Sequence, residues 1–153
     1  MDFTYAELDA FIFLTTEVKL NSFEKTELDK LTDRIIFRLE NLKGGFLYCS
    51  RLEMNNYGNI SDIIQLRKEN SKWSIPTVNE LKSLVEINTI QFSNGEYWAK
   101  DENNYYVLYD IKTGRTLNDV THNSYLDFDG GDFSTFTPFD ELTARIKLVR
   151  RFS

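Results

Sequence analysis

Three carboxylates lie within six residues in Asp127-Phe128-Asp129-Gly130-Gly131-Asp132. Carboxylate oxygens at close spacing are what a hard cation such as calcium takes, and glycines permit the tight turns that gather them. The spacing is not that of a helix–loop–helix calcium loop, because the glycines are out of place and no Glu sits at the required distance. We therefore read the tract as a recognition surface with no assigned metal. The candidate binding residues are Asp119, Tyr125, Asp127, Phe128, Asp129, Asp132 and Phe133. The carboxylates would meet cations and the aromatic rings would anchor a partner. The plainer alternative is a solvated acidic loop whose aromatic rings pin it to the body.

Other chemistries find little support. His122 is the single histidine and Cys49 the single cysteine, far apart in the chain. A nucleophile needs a base beside it and a third group to orient that base. Zinc needs several nitrogen or sulfur ligands. No glycine-rich phosphate loop is present. The expectation is a non-enzyme without a cofactor, with Cys49 a small buried apolar residue.

The formal net charge is −6, unevenly spread: residues 94–141 carry ten carboxylates against three cations. Binding a phosphate backbone needs Lys and Arg to displace counterions, so direct nucleic-acid binding is not expected. An acidic surface suits a basic protein partner instead. Arg145, Lys147, Arg150 and Arg151 cluster near the end of the sequence and could pair with the acidic loops, within or between chains. A lone cysteine cannot close an intrachain disulfide, which favours a reducing compartment. The start Met1-Asp2-Phe3-Thr4 lacks the form of a signal peptide, and no apolar run is long enough to span a bilayer. These features predict a cytoplasmic protein with no membrane contact.

The elements that must position such a surface begin at Trp73-Ser74-Ile75-Pro76-Thr77-Val78-Asn79-Glu80-Leu81. Pro76 fits just ahead of a helix, and Thr77 with Glu80 forms a capping box. Leu81, Leu84 and Val85 share one helical face, on which Trp73 and Ile75 can pack back. The N-terminal segment predicts an antiparallel helical hairpin. Thr4 and Glu7 form a capping box, with Phe3 and Leu8 as a staple, and Leu8, Phe11, Ile12 and Val18 recur near helical spacing. Asn21-Ser22 opens a second helix, expected from Phe23 to Lys43 on the stripe Leu28, Leu31, Ile35, Leu39 and Leu42. Gly44-Gly45 would end it. Phe13, Leu14, Ile36 and Phe37 widen the apolar faces, so the hairpin must pack on the body or form a homodimer. The domain division is 1–44 for the hairpin and 45–153 for the body.

The body reads as α+β with antiparallel strands. Residues 46–49 suit a strand or a short helix, Asn55-Asn56-Tyr57-Gly58-Asn59 a turn, and Ile60 to Leu66 a strand or a helical turn. Glu96 to Lys100 and Tyr105 to Ile111 read as strands, the second alternating with Tyr105, Val107, Tyr109 and Ile111 on one side. Lys112-Thr113-Gly114-Arg115 turns into Thr116-Leu117. Residues 118–140 form a long irregular stretch, and Arg145 to Phe152 a single closing strand.

Three short segments in order carry a resemblance. Trp73 to Leu81 resembles the W-R-L-P-T-x-x-E-L signature of the Lcl C-terminal domain family. Tyr97-Trp98-Ala99-Lys100 resembles that family's Y-W-S-S strand, and Ile146-Lys147-Leu148-Val149-Arg150 its V-R-C-V-R strand. Coverage runs from about Trp73 to Phe152, extending to Tyr48-Cys49 if the family's Y-C-x-x-L is included. Ser74 stands where the signature has Arg, and Leu148 where it has the second Cys. By comparison, residues 55–72 look like an insertion. The resemblance implies a small C-type-lectin-like body related to formylglycine-generating enzymes and phage tropism determinants, with binding in the 118–140 loops. Two functions follow as expectations. One is an intracellular inhibitor, phage- or mobile-element-encoded, of a host defence complex of the CRISPR type, acting through its acidic surface. The other is an adhesin or receptor-binding module for glycan or protein.

Overall fold

The computed structural model describes residues 4–40, 45–121 and 137–152. The protein is α+β, with N-terminal helices followed by two largely antiparallel sheets.

Both expected N-terminal caps form. Helix α1 (Tyr5–Thr16) starts on the Thr4/Glu7 capping box. Helix α2 (Ser22–Ile35) starts on Asn21, whose side chain accepts from the Glu24 amide while Glu24 reaches back. The second helix then stops eight residues short of the expected Lys43. Ile36–Glu40 is strand β1, paired in full with β2 (Phe46–Ser50), Ile36 opposite Ser50 and Glu40 opposite Phe46. The stripe that continues through Leu39 is helical in period, but Ile35-Ile36-Phe37 is β-branched and aromatic, and the partner strand decides. The β1–β2 ladder also joins the two sides of Gly44-Gly45 in one sheet.

The segment that looked like an insertion supplies two elements. Strand β3 (Asn56–Gly58) edges the second sheet, and helix α3 (Ile60–Glu69) follows on a box formed by Asn59 and Asp62. Gly58 is required there, because an added Cβ would lie 2.6 Å from the Asp62 Cβ. Strand β4 (Trp73–Ser74) leads through Pro76 into helix α4 (Val78–Val85), with the Thr77/Glu80 capping box as expected.

Strands β5 (Glu96–Lys100), β6 (Tyr106–Asp110) and β7 (Thr116–Leu117) form a meander. Residues 145–152 are not one strand. Strand β8 (Ala144–Ile146) lies between β3 and β5, while β9 (Val149–Phe152) lies between β2 and β4. The chain changes sheets at Lys147-Leu148, both buried. The sheet orders are β1-β2-β9-β4 and β3-β8-β5-β6-β7.

The strand β5–β6 pair is buried on both faces. Trp98 and Leu108 join a large cluster with Tyr5, Leu8 and Ile12 of α1, Ile63 of α3 and Trp73. Tyr97, Ala99, Val107 and Tyr109 turn the other way, onto Leu81 of α4. Only part of the expected face is therefore internal: Tyr105 is exposed. Trp73 is fully buried, its ring centroid 4.9 Å from that of Tyr5.

Candidate functional site

A cleft of about 860 Å³ lies between the β5–β6 turn, the turn after β7 and the chain preceding β8. Each wall is held by local hydrogen bonding. In the first, Asp101 Oδ1 accepts from the Asn103 and Tyr105 amides, both at 2.9 Å, and Asn104 takes the left-handed conformation. Short polar side chains tolerate that conformation and bridge to nearby amides, which is why Asp-Glu-Asn-Asn suits this turn. In the second, Asn118 Oδ1 accepts from the Thr121 amide and Thr121 Oγ1 from the Asn118 amide, each at 2.8 Å, fixing Asp119 and Val120 between them. In the third, Pro138 precedes a 3-10 helix, Phe139–Glu141, that carries Asp140.

The floor is aromatic. Phe139 is buried edge-on against Trp98, at 5.6 Å between centroids, and Tyr106 approaches the same indole at 6.3 Å. Trp98 is held in turn by its Nε1, which donates to the Gly58 carbonyl at 2.8 Å. Lys100 reaches over the Tyr106 ring at 4.9 Å, and burial, then the neighbouring Arg67 and Arg151, lower its pKa from the ordinary value. At the rim stand Asp101, Asp119 and Asp140, with Tyr105 69% exposed and Val120 73% exposed. No cationic side chain is among the described residues lining the cleft.

Of the seven candidate residues from the sequence, Asp119 is on this cleft. Tyr125, Asp127, Phe128, Asp129, Asp132, Phe133 and also His122 lie outside the described residues. Asp101, Asn103, Tyr105 and Asp140 line the cleft and were not singled out individually. The signal for the first three was an Asx-type turn running straight into a tyrosine pair.

The C-terminal cations do not form the cluster expected of them. Lys147 is buried and donates to the carbonyls of Leu52 (3.0 Å) and Gln91 (3.2 Å). Arg150 pairs with Asp9 of α1 at 2.8 Å, and the same carboxylate oxygen accepts from Trp73 Nε1 at 2.8 Å. Arg151 grips Glu80 through two nitrogens, at 2.6 and 2.9 Å, and also donates to Ser74 Oγ and the Ile75 carbonyl. Arg150 and Arg151 tie helices α1 and α4 to the last strand, and Lys147 ties two loops to the crossing between the sheets. Cys49 is fully buried, and burial raises its thiol pKa to about 11 despite the nearby Lys147 charge, so it is a poor nucleophile where it stands. Among the described residues no three metal-ligating side chains gather, and no helix is long and apolar enough to cross a membrane.

No protein-family model, curated protein or solved structure matches this chain.

Proposed function

We propose that this chain is a non-catalytic recognition protein that takes a basic segment of a protein partner into the cleft walled by Asp101, Asp119 and Asp140. One observation carries the reading: three carboxylates rim an open cleft with an aromatic floor and no described cation in its lining. An arginine or lysine entering it would meet opposite charge at the rim and ring faces beside it, the combination that favours cationic side chains. The acidic balance of residues 94–141 extends the same field beyond the cleft. In its sharper form the partner is the nucleic-acid groove of a host defence complex, occupied in the cytoplasm by a phage- or mobile-element-encoded inhibitor. The lectin-like resemblance supports this class of activity by analogy only.

The test is titration of the protein with an arginine-rich peptide and a lysine-rich peptide at two salt concentrations, with an acidic peptide as control. Binding is expected to weaken with salt and to fall at least about tenfold in the triple variant Asp101→Asn, Asp119→Asn, Asp140→Asn, as loss of charge-assisted contacts does. Affinity that ignores both changes would overturn the reading. Competition between the protein and nucleic acid for a purified defence complex tests the sharper form. A second reading, glycan binding, draws on the exposed Tyr105 ring beside the Asn103 and Asn118 amides. A glycan array with hits abolished by Tyr105→Ala, and no peptide binding, would favour it.

A further inference from the structure

Helix α2 is the least covered helix among the described residues. Of its residues only Ile35 is buried, with Leu28 and Thr32 half-buried. Phe23 is 75% exposed and Leu31 45%. The end of α1 adds Phe13 and Leu14, and the connection 17–21 adds Val18, all exposed. A helix this short is marginal in water on its own, and large apolar side chains grouped on one uncovered face mark an interaction surface.

The identity of the occupant is written in the charges of that face. At helical spacing Phe23, Glu27, Lys30, Leu31 and Arg34 fall on one side, opposite the Leu28, Thr32 and Ile35 side that turns to the body. Asp29 and Asp33 lie off this face. Along this face the acidic Glu27 comes first and the basic Lys30 and Arg34 follow, while Glu24 falls toward the Ile35 side and closes the capping box. Such a face is its own complement when reversed. Two copies laid antiparallel put Glu27 of each beside the Lys30 and Arg34 turn of the other, with Phe23 and Leu31 on the same face. Glu27 and Lys30 already approach within 3.4 Å along the helix, but both are well exposed, so that pair holds little and can exchange partners.

We propose that a second copy of the same chain covers this face, α2 packing antiparallel on its symmetry mate about a two-fold axis. A pair of helices of this length falls short of the roughly 800 Å² per partner typical of stable interfaces, and Phe13, Leu14 and Val18 supply adjoining apolar surface. The contact is isologous, so it closes at two copies and builds no filament. It uses residues remote in sequence from the acidic cleft and stands independently of the function proposed for that cleft.

Sedimentation equilibrium of the full chain tests this. A dimer is expected, with its dissociation constant raised more than about a hundredfold in Phe23→Glu/Leu31→Glu, the loss of two central anchors. The charge argument has its own test, which leaves Glu24 intact because it closes the capping box. Glu27→Lys alone and Lys30→Glu/Arg34→Glu alone should each weaken self-association, and an equimolar mixture of the two should recover dimer. Circular dichroism checks that each variant stays folded; as every substituted side chain is exposed, helicity should persist. A chain that stays monomeric at every concentration, or a dimer that none of these substitutions weakens, would overturn the proposal. So would charge variants that gain nothing from being mixed.

Discussion

Cys49 illustrates how burial alone converts a reactive group into a structural one. Its sulfur is enclosed with Leu47, Leu84, Ile90 and Val149. The raised thiol pKa makes a prediction with a definite sign. The unfolded thiol releases its proton near 9.0, the folded one only near 11. Over that interval the unfolded state binds fewer protons, so stability falls as pH rises. Denaturant unfolding followed from below pH 9 to about 11 should show a smaller loss in Cys49→Val than in the parent. A thiol reagent should label the parent only on unfolding. Burial likewise raises the Tyr5 and Tyr97 hydroxyls, so alkaline loss will not vanish in the variant. Glu96 offers the opposite regime. Burial first, then the charge of Asp110 directly across the ladder, raises its pKa above 4.5. Its neutral form is the one the fold favours, so the repulsion is absent in acid and sets in as pH rises through that value. Glu96→Gln should therefore add up to about 0.5 kcal/mol at neutral pH, small because the group is largely solvated, and nothing in acid.

At the level of elements, the capping residues were the most legible part of the chain. Thr4/Glu7 and Thr77/Glu80 are local chemistry, complete within four residues, and both form. Where local preference competes with pairing, the sequence misleads. The periodic stripe of α2 continues past Ile35 into residues that β2 claims, and the closing segment divides between two sheets. Nothing within either segment announces its partner strand. The long-range polar contacts were equally hidden. Asp9 receives both Trp73 Nε1 and Arg150, joining α1, β4 and β9 through one oxygen. Asp9→Ala leaves the indole N–H and the guanidinium without that acceptor. It should cost about 1–3 kcal/mol by urea unfolding, whereas Asp29→Ala on exposed α2 should stay within about 0.5 kcal/mol. Asp9→Asn keeps an acceptor for the indole and should fall between them.

For the molecule as a whole, the acidic character of residues 94–141 was readable by counting, and it singled out Asp119, which lines the cleft. It could not show that Asp101 and Asp140, distant in sequence, would share a rim with it. That depends on β8 sliding between β3 and β5, a non-local arrangement. Of the seven residues read from the sequence, Asp119 alone lies among the described residues, and the cleft adds residues from two other turns.

The slot taken by β9 has a further consequence for how the protein is made. Its residues, 149–152, are translated after every other described strand, yet they fill an interior position between β2 and β4. Until they dock, β2 has β1 on one side only and Asp9 lacks its arginine. Helices α1 and α4 can form early from their own caps and β1 can pair with β2, but the first sheet is complete only when β9 docks. Completion of that sheet should accordingly be paced by the pairing of β9, as expected when contacts span most of the chain.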